Sequence, residues 1–233
     1  MKQLLSILSI FLVFNGCQQN TGKESGNLQN TSGANKSNFR KLKKLLIKGD
    51  FDGDKIQDTL LQHNFSNLSN SEIEYAPNPH HNEWDSVISW FNDQDANLFL
   101  TLQKPGQDTL YLGLGQGLYC LLNIGDLNAD GKDEIAFVID YFDYSNLNSC
   151  NIYSLCNNKW TMLKRFNIHE GAFEYTSGNN PVFENIKDYL EKQNGQWVFK
   201  DYLDEMVQNE EDLGKMHRLK LDRCIEKHPS LRK

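Results

Sequence analysis

The sequence predicts a mainly β domain of antiparallel strands and hairpins with little helix. Three observations carry this. Apolar runs of strand length recur along the chain between clusters of Gly, Pro, Asn and Asp. The pairs Pro105-Gly106 and Asn194-Gly195 are turn signals that join such runs two by two. Two acid-rich loops, beginning at Asp50 and Asp126, each lead straight into an apolar strand.

Taken in order, residues 39–48 mix basic and apolar side chains and fit either a short helix or an entering strand. Residues 59–63 leave the first loop as a strand, and residues 135–139 leave the second in the same way. Between the loops lie residues 72–75, the segment Pro77-Asn78-Pro79-His80-His81-Asn82 and the apolar run 87–91. Residues 97–102 and 109–112 form a hairpin across Lys104-Pro105-Gly106-Gln107, where Pro then Gly suits the central pair of a type II turn. Residues 113–117 are glycine-rich, but Leu118 stands where a dinucleotide fingerprint needs its third glycine, so they read as a bend before the strand 118–124. Residues 150–155 pair with 160–166 across Asn157-Asn158-Lys159, and residues 186–192 pair with 196–201 across Asn194-Gly195. Trp160 and Trp197 fall within strands, as core residues do. Residues 203–213 suit a helix or an ordered loop, and residues 216–225 a final strand.

The loops carry the sharpest chemistry. Asp126, Asn128, Asp130 and Glu134 place oxygen side chains at positions one, three, five and nine; Asp50, Asp52, Asp54 and Asp58 repeat the spacing with four carboxylates. Such a loop can wrap a hard cation such as calcium. A helix-flanked EF-hand needs a glutamate at position twelve, and Leu61 and Phe137 stand there. The pattern resembles the metal loops of FG-GAP and VCBS repeats, the modules of integrin-type β-propellers. That resemblance implies one or two structural calcium ions, each in a tight strand-to-strand loop, with the Lys132 and Ile56 carbonyls at position seven. Family loops often carry glycine at positions four and six; here those positions hold Gly53 and Lys55, then Ala129 and Gly131. A non-glycine residue held left-handed costs roughly 1 to 2 kcal/mol. A closed propeller takes four to eight blades, so two loops imply a small or incomplete β-propeller-like assembly. The bland alternative is a pair of Asx-rich turns.

Lys2, an apolar run over residues 4–14 and Gly16-Cys17 resemble a bacterial lipoprotein signal, with Phe14 and Asn15 departing from its usual residues. The resemblance implies a signal peptide at 1–16 and lipid on Cys17; an ordinary secretory signal is the other reading. Residues 17–38 are too polar to bury a core and form a flexible linker. Residues 39–233 then make a single mainly β domain. The expected place is the bacterial cell envelope, lipid-anchored and facing the periplasm or the surface. A net charge of −7 without a basic cluster argues against nucleic acid. Cys120, Cys150, Cys156 and Cys224 permit disulfides without assigning them; Cys150 and Cys156, on one strand, should not pair with each other.

His80 and His81, near Glu83 and Asp85, are zinc-type ligands, but neighbouring side chains in an extended loop point apart, and a polar surface loop is the plainer reading. With Trp84 the same segment is a candidate recognition loop. His169, Glu170 and Glu174 lack any serine elbow beside them. Tyr141-Phe142-Asp143-Tyr144 fits an exposed patch or buried packing. The expected function is a calcium-stabilised binding or structural module with an unknown protein or glycan partner. The alternatives are a metal-assisted hydrolase at His80/His81 and an adhesin or carbohydrate-binding surface protein.

Overall fold

The structure, a computed structural model, describes residues 38–176, 185–202 and 215–224. The expected signal peptide, Cys17, almost all of the linker and the segment 203–213 lie outside the described residues. Along the chain come β1 (Phe39–Lys41), β2 (Leu46–Gly49), β3 (Asp58–Ser66), β4 (Ser71–Glu72), β5 (Tyr75–Pro77), α1 (Trp84–Asp93), β6 (Ala96–Leu102), β7 (Leu110–Gly113), β8 (Gly117–Gly125), β9 (Glu134–Asp140), β10 (Leu147–Cys156), β11 (Lys159–His169), β12 (Leu190–Gln193), β13 (Gln196–Phe199) and β14 (His217–Arg218). The mainly β expectation holds, and residues 39–48 supply two strands.

Two four-stranded antiparallel meanders dominate. The first runs β2-β3-β6-β7, with β4 also on β3; the second runs β8-β9-β10-β11. In each, one acid-rich loop joins the first strand to the second. A third sheet, β12-β13-β14, is smaller, and β1 pairs with β5. The sheets stack in three layers, because the central strand β9 is buried on both faces. Ile135, Phe137 and Ile139 pack toward Leu60, Leu98 and Leu100 of the first meander. Ala136 and Val138 point the other way, with Cys120, Cys150 and Ile152, toward Leu190, Trp197 and Leu219 of the third sheet. Period-two alternation on a strand apolar at both parities produces this double burial. Trp160 and Trp197 are core residues as expected. No closed ring of blades forms among the described residues.

The turns follow their residues. Gly106 takes a positive φ of 81° in the β6–β7 turn, and Asn157, Asn158, Asn194 and Gly195 all have positive φ in their two hairpin turns, as two-residue turns of matched twist require. The third hairpin is shorter than expected, starting at Leu190, and the final strand shrinks to His217 and Arg218. The run 87–91 lies in α1, whose Val87 and Phe91 are buried against Leu42, Ile73 and Ala76. Trp84 is thereby moved out of the expected loop: it opens α1 and packs against the rings of Phe142 and Tyr144, 6.0 and 6.3 Å away. Phe142 is half-buried there, whereas Tyr144 is largely exposed. A disulfide joins Cys156 to Cys224, while Cys120 and Cys150 are free and buried.

Candidate metal centre

Both acid-rich loops are wound by closely similar internal bonds. The position-one carboxylate caps the turn: Asp50 accepts the N–H groups of Gly53 and Lys55, and Asp126 those of Asp130 and Gly131. The position-three oxygen accepts the N–H of position five, Asp52 from Asp54 and Asn128 from Asp130. The position-five carboxylate accepts the N–H of position seven, Ile56 or Lys132. At position nine, Asp58 and Glu134 reach back to the N–H of Phe51 and Leu127. Positions four and six are left-handed in both copies, Gly53 and Lys55 at φ 82° and 68°, Ala129 and Gly131 at 57° and 89°. Each loop therefore retains one non-glycine residue in a conformation that disfavours it.

The two loops touch. Asp133 donates its N–H to the Asp50 carbonyl at 2.8 Å, and Asp50 returns its N–H to Asp133 Oδ2 at 3.1 Å. Asn123 bonds both Asp133 and the Lys48 carbonyl. Gly49 is required at this joint: a Cβ there would lie 2.3 Å from Asn123 Nδ2. The joint also orients the second loop. A trans peptide points its carbonyl opposite its N–H, so binding the Asp133 N–H to the first loop turns the Lys132 carbonyl away from it.

The acid groups converge differently in the two copies. Asp50, Asp52 and Asp58 bring carboxylate oxygens within 4.8 Å of one another, and so do Asp126, Asp130 and Glu134. Either set can hold a metal ion. In the first loop, however, the Lys104 ammonium enters the cluster from the β6–β7 turn. It bonds Asp52, lies 2.6 Å from Asp54 and reaches 3.8 Å from Asp58. Its bonds to Asp52 and Asp54 raise the Lys104 pKa and lower that of Asp54. Burial, then the charge of Asp52, raises that of Asp58.

Among the described residues the second loop has no such partner: no ion pair reaches Asp126, Asp130 or Glu134. Lys132 and Arg223 instead donate to the backbone carbonyls of Leu155 and Asn128. Glu134 is fully buried. Its Oε2 accepts from Leu127 and Asn128, but its Oε1 has no hydrogen-bond partner; the Ser154 hydroxyl stands near without closing a bond. Burial pushes the Glu134 carboxyl up to about 7. A buried carboxylate oxygen left unpaired costs free energy.

His80 and His81 are both exposed and do not converge. His80 edges a cavity of about 480 Å³ lined also by Arg40, Gln116, Tyr119, Asp140 and Glu170; His81 does not line it. Within that cavity Gln116 donates to Asp140 at 3.3 Å. Burial pushes the Asp140 carboxyl up to about 6, with the Arg40 charge opposing. The folded state thus holds this proton to higher pH than an unfolded chain, where the carboxyl titrates near 3.8. Its contribution to stability is present in acid and is lost as pH rises through about 6. Asp140→Asn should therefore gain on the parent between about pH 4 and pH 7 in urea denaturation, and parallel pH profiles for the two proteins would show a solvated Asp140 instead.

Comparison with family models, with curated proteins and with solved structures finds no match to the chain.

Proposed function

We propose that this chain is a lipid-anchored envelope protein whose β domain is a binding or structural module stabilised by calcium at the second loop. The observation that carries the metal reading is the orphaned, fully buried Oε1 of Glu134 in a loop whose other polar groups are already set by internal bonds. Carboxylates from Asp126, Asp130 and Glu134, the Asn128 amide and the Lys132 carbonyl make an all-oxygen donor set of mixed type. Calcium accepts such sets, while magnesium demands a stricter octahedron and retains its waters. The ion would tie the end of β8 to the start of β9, the strand on which two layers pack, so its role is to hold the stack. The FG-GAP/VCBS resemblance points the same way. Anchoring at Cys17 rests on the sequence of residues 1–17 alone, and a protein or glycan partner is supported by no particular surface.

The test is a melting experiment. Adding calcium to chelator-treated protein should raise the melting temperature, magnesium should do so far less, and Asp126→Ala with Asp130→Ala should abolish most of the rise. At a hundredfold excess over the dissociation constant, binding stabilises by about 2.7 kcal/mol. A melting temperature indifferent to calcium in the parent protein would refute the reading.

A further inference from the structure

The two meanders can be laid over each other by strand register. In the first, Leu60 of β3 faces Leu102 of β6, and Gln103 donates its N–H to the Thr59 carbonyl at 2.9 Å, so the next position sets Lys104 opposite Asp58. In the second, Ile135 of β9 faces Tyr153 of β10, so one further step sets Ser154 opposite Glu134. The same place on the third strand, facing the position-nine carboxylate, is lysine in one copy and serine in the other.

We propose that Lys104 is a tethered cation that takes the place of a metal ion in the first loop, so that each chain binds one divalent ion, at the second loop. This deepens the calcium reading above and rests on it for the occupied site. The ammonium touches the carboxylates at positions three, five and nine, and the Gln107 amide adds a bond to Asp52 at 3.3 Å. A divalent ion entering there would meet a like charge held on three of its four side-chain ligands. Ser154 carries no charge, and the Glu134 oxygen has no hydrogen-bond partner and lacks the counter-cation that Lys104 supplies in the first loop. Lys132 and Arg223, beside the second loop, are engaged with backbone carbonyls.

Removing the lysine should create a second site. Calcium is titrated into chelator-treated protein by calorimetry, comparing the parent with Lys104→Met. The expected stoichiometry is one ion for the parent and two for Lys104→Met. Without calcium, Lys104→Met should melt below the parent, since its carboxylates lose their counter-charge, and calcium should narrow the gap. A parent that binds two ions, or a Lys104→Met that binds no more than the parent, overturns the proposal. A parent that binds none beside a variant that binds one defeats the second-loop reading yet leaves the lysine substitution standing. Should Lys104→Met not fold, Asp126→Ala with Asp130→Ala decides the matter with the lysine intact: with the second site removed the chain should bind no ion, and one tightly held ion in that variant overturns the proposal.

Discussion

Glu134→Gln is expected to move the stability of the metal-free and calcium-loaded proteins in opposite directions. Glutamine keeps the shape of the side chain and one carbonyl oxygen for the N–H groups of Leu127 and Asn128. It removes the charge from a group that is fully buried with one oxygen unpaired. At about pH 8 and without metal, the variant should therefore match or exceed the parent, by up to about 1–3 kcal/mol, because no charge is held out of water. With calcium in hundredfold excess the parent gains about 2.7 kcal/mol that the variant largely forgoes. For a domain of this size that is a difference of about 5–10 °C in melting temperature. Paired melts with chelator and with calcium read both signs. Equal destabilisation under the two conditions would mean that Glu134 serves only as an acceptor for the loop backbone.

Cys224→Ser should be the most damaging single change outside the core. The Cys156–Cys224 bridge spans 68 residues, and closing a loop of that length is worth about 4 kcal/mol in the chain-entropy account. Among the described residues the C-terminal segment has few other holds. Its strand is two residues long, and Leu219 is its one buried apolar residue among those described. Urea denaturation should show a loss of about 2–4 kcal/mol. The bridge also places Arg223, which donates to the Asn128 carbonyl inside the second loop at 3.2 Å. Calcium affinity should therefore fall with the same substitution, and unchanged affinity would show that the C-terminal segment merely passes over the loop.

Much of this was legible in the residues, for local reasons. A loop of alternating acids without a glutamate at position twelve, followed by an apolar run of strand length, reads as leaving in a strand, and the left-handed positions at Lys55 and Ala129 follow from where the glycines are displaced. Asn194-Gly195 and Pro105-Gly106 specify their turns by backbone preference. Helix α1 does not show in the run 87–91 taken alone, although Trp84, Val87, Ile88 and Phe91 stand at spacings of three, four and seven, the mark of one helical face. The partner of Cys156 depends on chain path, which spacing does not encode. Lys104 was the hardest to see. It lies 46 residues from Asp58, and only the pairing of β3 with β6 brings it alongside. Once that pairing is known, counting along the register finds it.

The lysine bears on the order in which the molecule can be made. Chains emerge from the ribosome N-terminus first, and early segments begin to fold while later ones are still being added. The ammonium of Lys104 and the amide of Gln107, which bond the carboxylates of the first loop, lie within the first meander, so that meander can close using only what has already been synthesised. Under the one-ion scheme the second meander cannot; it must meet its ion in solution. Because Asp133 binds the backbone of Asp50, that late step would take place against a finished template, and the compartment in which calcium is first met becomes the place where the domain is completed.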